Sequence, residues 1–205
     1  MNISIILAHP NPESYTHALA HAAREAIQAQ GHIPWLHDLY AENFDPVTPL
    51  AELARDPGPL PPLVQQHIEE ITRADGIIIV HPNWWSDPPA ILAGWRDRCL
   101  RAGLAYRFEP DGKGGGRSVG MLAARFALIL NTQNTPLHIE EEILRNPMRW
   151  HWQQVVFGLC GVKDCTQQLI GPVITSTPEQ RAQWLAQSAE WITQKLKSLS
   201  EEPQP

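Results

Sequence analysis

The chain is short of cysteine, of positive charge and of long apolar runs, and each shortage removes a class of protein. Cys99, Cys160 and Cys165 are its three cysteines in 205 residues, with no CxxC spacing, so neither a disulfide framework nor a thiolate zinc centre is expected. The formal net charge of -6 denies it the basic surface that phosphate backbones demand, and with it a nucleic-acid partner. No apolar run approaches the ~18 residues needed to cross a bilayer. Met1–Ala8 carries no positive charge before its apolar stretch, unlike a secretory leader. These absences lead us to expect a soluble, cytoplasmic protein. Neither G-x-G-x-x-G nor a Walker lysine motif occurs, which speaks against dinucleotide and triphosphate loops of the usual kind. His17 and His21 stand four apart without an acidic third ligand, so they read as a solvated pair and no metal is expected.

What is present is a pattern of strands alternating with helices. Apolar β-rich runs occur at Ile3–Leu7, Ile33–Leu36, Gly76–Val80, Phe126–Leu130 and Gln168–Ile174, which implies βαβ units and a parallel sheet. Ile77–Val80 and Phe126–Leu130 lack alternation, as central strands covered on both faces do. Leu19, Ala22, Ala23, Ala26 and Ile27 stripe a helix over Thr16–Gln30, closed by Gly31. Ile91, Leu92, Trp95, Cys99 and Leu100 stripe another between Pro88 and Ala102, which makes Cys99 a core residue. Thr177, Pro178 and Gln180 start a final helix as N-cap, first residue and capping-box partner. Asn43–Pro62, with six prolines, and the glycine-rich Glu109–Ser118 read as loops. The length suits one core, so residues 1–200 are expected to form one domain and 201–205 a frayed tail.

Open parallel sheets bind ligands beyond the carboxyl ends of their strands, and three polar loops follow the first, third and fourth runs. His9-Pro10-Asn11-Pro12-Glu13-Ser14-Tyr15-Thr16 leads into a helix, whose free N–H groups and partial positive charge suit a phosphate. Ser14 and Thr16 add hydroxyls there, although Ser14 is equally a simple N-cap. His81-Pro82-Asn83-Trp84-Trp85-Ser86-Asp87 sets two adjacent tryptophans in a proline-bounded turn, fit to wall a planar ligand or to meet a partner. Asn131-Thr132-Gln133-Asn134 places amides and hydroxyls behind a wholly apolar strand, either as donors for a pyrimidine-like edge or as a polar surface loop.

Together these segments resemble the NAD(P)H dehydrogenase (quinone) family of flavodoxin-like flavoproteins, which includes quinone reductases and ancillary subunits of bacterial potassium-efflux systems. The likeness runs through Ala8-His9-Pro10 with Ser14-Tyr15, Asp38-Leu39-Tyr40, Phe44-Asp45-Pro46 and Asp75. It is most specific over Pro82–Arg98 and continues at Gly103-Leu104-Ala105-Tyr106 and Phe157–Gly161. The resemblance implies a flavodoxin-like three-layer α/β/α sandwich with a five-stranded parallel sheet in the order 2-1-3-4-5. It implies a flavin, FMN or FAD, with its phosphate at His9, Ser14, Tyr15 and Thr16. The ring system would lie against Pro82, Asn83, Trp84 and Trp85, whose backbone N–H groups would face N5 and O4. Asn131, Thr132, Gln133 and Asn134 would flank the pyrimidine end, where many family members carry Thr-Thr-Gly-Gly instead. His138 is the nearest match to a side chain that assists catalysis, against an ordinary loop histidine.

The implied activity is hydride transfer from NAD(P)H through flavin N5 to a quinone-like acceptor, in a homodimer whose interface borders the active site. Trp150 and Trp152 suit such an interface or a core equally. The alternatives are a regulatory flavoprotein in peripheral contact with a membrane transporter, and a flavodoxin-like electron carrier.

Overall fold

The computed structural model describes residues 1–54, 58–112 and 114–201. Its strands are β1 (Asn2–Leu7), β2 (Ile33–Asp38), β3 (Gly76–Pro82), β4 (Tyr106–Pro110), β5 (Gly116–Gly120), β6 (Ala127–Thr132) and β7 (Cys165–Ile170). Its α-helices are α1 (Tyr15–Ala29), α2 (Pro62–Arg73), α3 (Ala90–Cys99), α4 (Pro147–Trp150), α5 (Phe157–Cys160) and α6 (Pro178–Glu201), with a π-helical stretch His151–Val156 joining α4 to α5. The expected tail beyond Glu201 lies outside the described residues. None of the described helices is long and apolar enough to cross a membrane.

Five strands form one parallel sheet in the order β2-β1-β3-β6-β7. The expected order 2-1-3-4-5 needs correcting, because Glu109–Ser118 is not a plain loop. Tyr106–Pro110 and Gly116–Gly120 pair antiparallel as a separate hairpin, which inserts two strands before the fourth strand of the sheet. The Asp111-Gly112 turn signal was legible, as was the alternation of Tyr106 and Phe108 with Arg107 and Glu109; the second strand, Gly116–Gly120, carries no apolar alternation, and both strands are exposed at most positions.

The apolar runs sort themselves by the pleat. Ile77 and Ile79 of β3 and Ile129 of β6 face a core built with α2, α3 and the helical segment 147–160, where Trp95, Trp152 and Phe157 are buried. Ile78, Val80, Leu128 and Leu130 face the opposite core, with Leu19 and Ile27 of α1 and Ile192 and Leu196 of α6. Successive side chains alternate faces, so continuous hydrophobicity is what a strand sandwiched between two helical layers requires.

Local signals set the helix ends. Ser14 caps α1 by accepting the His17 N–H at 3.3 Å. In α6 the capping box closes both ways, Thr177 N–H to Gln180 Oε1 at 2.9 Å and Gln180 N–H to Thr177 Oγ1 at 3.2 Å. Gly94 lets the chain at Pro46 cross α3 in contact, since a Cβ there would lie 2.2 Å from the Pro46 carbonyl oxygen. Within Asn43–Pro62, read as loop, Leu50–Leu53 forms a 3-10 turn. It is tied to α3 by buried Glu52, which pairs with Arg98 and, at 3.1 Å, with Arg101. The last strand, expected at Gln168–Ile174, lies at Cys165–Ile170; the ladder from Ala127↔Cys165 to Thr132↔Ile170 fixes it there.

Candidate functional site

The carboxyl ends of β1, β3 and β6 open into a cavity of about 360 Å³. Its phosphate-suited end is made by His9, Ser14, Tyr15 and Thr16, its wall by Pro82, Asn83 and Trp84, and its polar edge by Thr132, Gln133 and Asn134. Cross-links hold the three loops together. Thr16 Oγ1 lies 2.9 Å from Thr132 Oγ1, the Asn83 N–H donates to Thr132 O at 2.7 Å, and the His9 and Trp84 rings stand 6.0 Å apart.

Three expected residues are not among the lining. Trp85 is fully exposed at the tip of its turn, His138 is exposed beyond the loop, and Asn131 is completely buried beneath the cavity. Asn131 belongs instead to a chain of hydrogen bonds that all run the same way. The Arg149 N–H donates to Asn146 Oδ1 (3.1 Å), Asn146 Nδ2 to Gln167 Oε1 (2.8 Å), Gln167 Nε2 to Asn131 Oδ1 (2.6 Å) and Asn131 Nδ2 to His81 Nε2 (2.8 Å). His81 Nδ1–H ends the run on the Pro82 carbonyl at 2.8 Å, while its Nε2 also accepts the Trp152 indole N–H at 3.0 Å. Burial drives the His81 pKa down to about 4, so the ring is neutral and this proton pattern is the one available.

The turn after β3 also departs from expectation. The N–H groups of Asn83 and Trp84 are spent internally, on Thr132 O and Asp87 O. Trp84 and Asp87 pair across the turn, with Trp85 at φ 58° and Ser86 at φ 59°, the signature of a type I′ turn. Among the described residues the N–H groups of Trp85 and Ser86 have no acceptor, so of the donors expected from this turn only that of Trp85 is left, joined by that of Ser86.

Thr135, Val173 and Ile174 complete the lining and were missed. Val173 N–H donates to Gln133 O and Ile174 N–H to Asn134 Oδ1, both at 2.9 Å. Gly171-Pro172 was the available signal: a glycine and a residue without an N–H break a strand, and they turn Val173 and Ile174 from sheet into cavity wall. A Cβ at Gly171 would lie 2.1 Å from the Gln133 carbonyl oxygen.

The lining suits a flavin. The first turn of α1 has N–H groups without intrahelical acceptors, at Tyr15 and Thr16, beside two hydroxyls. Gln133 is buried with neither amide atom hydrogen-bonded, an arrangement that costs roughly 1–3 kcal/mol per group until a polar partner arrives. Burial lowers the His9 pKa and raises that of Tyr15 to about 12, so neither adds charge at neutral pH.

Donor atoms of His37, Glu42 and His67 also lie within 4.8 Å of one another. The Trp95 indole N–H donates to His67 Nδ1 at 2.9 Å, which places the His67 proton on Nε2, facing Glu42. A protonated nitrogen has no lone pair for a metal, so this cluster is a hydrogen-bonded network.

An open parallel sheet with a polar and aromatic cavity at its strand ends defines a flavodoxin-type α/β protein. A family model described as the flavodoxin-like fold matches residues 1–196, and the chain belongs to that family. An uncharacterized NAD(P)H oxidoreductase of Haemophilus influenzae is 31% identical over 98% of this chain and 99% of its own length. An NAD(P)H:quinone oxidoreductase structure from Methanothermobacter marburgensis superposes with a TM-score of 0.82 at 28% identity, covering 94% of this chain and 98% of that one. The FMN-dependent NADH-azoreductase of Bacillus anthracis, solved with FMN, shares the fold at 15% identity, with a TM-score of 0.75 over 98% of this chain and 100% of that one.

Proposed function

We propose that this chain is a flavin-dependent NAD(P)H oxidoreductase acting on a quinone-like acceptor. One observation carries the reading: phosphate-suited donors, an aromatic wall and an unpartnered amide meet in a single cavity at the carboxyl edge of the sheet. When bound, the flavin supplies hydride transfer at N5 between NAD(P)H and the acceptor.

The protein's part is to bind, orient and bias. Ser14, Thr16 and the first-turn N–H groups of α1 take the phosphate. Pro82, Asn83 and Trp84 carry the flat ring face, and the buried chain through His81 fixes the Pro82 carbonyl behind them. The N–H groups of Trp85 and Ser86 serve the ring's acceptor edge, while Gln133 and Asn134 serve its pyrimidine end. FMN, which two solved structures of the same fold carry, is the flavin proposed.

A homodimer completes the proposal. A second cavity of about 580 Å³ is lined by Leu53, Leu100, Val155 and Leu159 around Arg96 and His151, and of these Leu53 and Val155 are exposed apolar side chains. Large exposed apolar patches mark protein contacts.

Purified protein should carry or take up FMN, identified by mass after release, and should oxidise NADH or NADPH with a benzoquinone acceptor. Protein that remains colourless after incubation with FMN and with FAD would refute the proposal.

A further inference from the structure

Three side chains stand in line at the phosphate end of the cavity. Ser14 Oγ lies 2.9 Å from His17 Nδ1, and His17 Nε2 lies 2.9 Å from Asp38 Oδ2. The other Asp38 oxygen accepts the N–H groups of Tyr40 and Ala41 at 3.1 and 3.2 Å. His17 is buried, so water does not compete for these positions.

The directions of these bonds are constrained. A carboxylate oxygen only accepts, so His17 Nε2 carries a proton. In the neutral ring Nδ1 is then a lone pair, and the Ser14 hydroxyl donates its one proton inward to it. The same oxygen accepts the His17 backbone N–H. Ser14 thus offers the cavity no donor, the wrong polarity for a phosphate oxygen. A second proton on Nδ1 reverses this: the ring N–H donates to Ser14 Oγ, and the hydroxyl is released to donate outward.

We infer that a phosphomonoester binds here together with one proton, taken from solvent onto His17 Nδ1, and that His17 is the positioning residue that sets the direction of the Ser14 hydroxyl. The inference rests on the flavin reading above. Its balance is simple: phosphate dianion, neutral His17 and a proton give the bound dianion and an imidazolium, with no bond in the ligand broken. Asp38 neutralises the imidazolium from β2. The other titratable groups facing it are His9 from the loop after β1, with ring centroids 6.2 Å apart, and His21 one turn along α1, at 6.5 Å. His9 Nδ1 accepts the Asn11 N–H at 3.1 Å, so His9 in its neutral form keeps its proton on Nε2. The buried, unpartnered amide of Gln133 on the same cavity is the independent sign that a ligand belongs there.

Calorimetric titration in buffers of different ionisation enthalpy tests this at about pH 8, where a phosphomonoester is a dianion. FMN should bind the wild-type protein with uptake of about one proton, and riboflavin, lacking the phosphate, with none. The FMN Kd should rise with pH by up to about tenfold per unit, the slope of a one-proton linkage. In His17→Asn the uptake and the slope should both vanish. FMN binding without proton exchange, equal uptake with riboflavin, or uptake that survives in His17→Asn would overturn the inference and leave the flavin reading intact. Failure of wild-type protein to bind either flavin would overturn both. The wild-type pair decides the matter even where the variant does not fold.

Discussion

Replacing Ser86 by glycine should make the flavin-free protein more stable. Ser86 sits at φ 59° and Trp85 at φ 58° in a turn closed by two backbone bonds between Trp84 and Asp87, of 3.2 and 3.0 Å. A left-handed conformation costs a residue with a Cβ roughly 1–2 kcal/mol. Type I′ turns accordingly favour Asn-Gly, where this chain has Trp-Ser. Relief of that strain, less the roughly 0.5–1 kcal/mol that glycine's extra freedom costs, leaves a gain of about 0.5–1 kcal/mol. For a chain of this size about 1 kcal/mol moves Tm by roughly 2–4 °C, so a rise of about 1–4 °C is expected. Differential scanning calorimetry of flavin-free protein reads it directly, with Ser86→Ala as the control, because alanine keeps the Cβ and the strain. A Ser86→Gly protein that melts no higher than Ser86→Ala would refute the reasoning. Strained backbone of this kind gathers at ligand sites, and here it is borne by the two residues whose N–H groups are free.

Other consequences follow from buried polar groups. Glu52→Gln removes the buried counter-charge of Arg98, 2% exposed, and leaves it only Asp45 Oδ2 at 3.7 Å; urea unfolding should show a loss of up to about 3–5 kcal/mol. Gln133→Leu removes two buried, unpartnered polar atoms and should stabilise flavin-free protein by about 1 kcal/mol while weakening FMN binding; a protein both less stable and unchanged in affinity would contradict the role given to Gln133. Stability should also peak in mildly acid solution. Burial pushes His37 down, but its bonds to Glu42 and Glu70 outweigh this and hold its pKa above the ordinary 6.5, so its contribution is complete below that value and is lost as pH rises through the raised one. Burial likewise pushes Glu42 up, but His37 and His67 draw it down to about 2, so its contribution is complete above the ordinary 4.5 and is lost toward pH 2. His37→Gln should flatten the alkaline limb of a Tm-against-pH curve; an unchanged limb would rule the pair out as its cause.

Much of this fold was legible because it is written in apolar runs. Ile77–Val80 and Phe126–Leu130 announced central strands, and the Thr177–Gln180 box located α6 to the residue. The strand ends were illegible for a physical reason. His81 and Pro82 extend β3 by pairing with Asn131 and Thr132, and these polar residues are buried only because their partners arrive from distant segments. Cys165, Thr166 and Gln167 hid the start of β7 in the same way. Ten of the twelve residues expected to bind the flavin line the cavity, since loops leaving one edge of a parallel sheet must converge. Asn131 misled because an amide after a strand looks the same whether it faces a ligand or a buried histidine.

The run of bonds from Asn146 to Pro82 has a consequence for how this sequence can change. Each member has a head and a tail: an amide turned over at 131 would set an oxygen against the ring nitrogen of His81 and an NH₂ group against that of Gln167. Single replacements such as Asn131→Leu therefore break two links at once, whereas a concerted exchange of several members for apolar ones leaves nothing unmatched. The floor of the cavity and the helical segment beyond Asn146 are in this sense spelled with shared letters, and must be rewritten together or left alone.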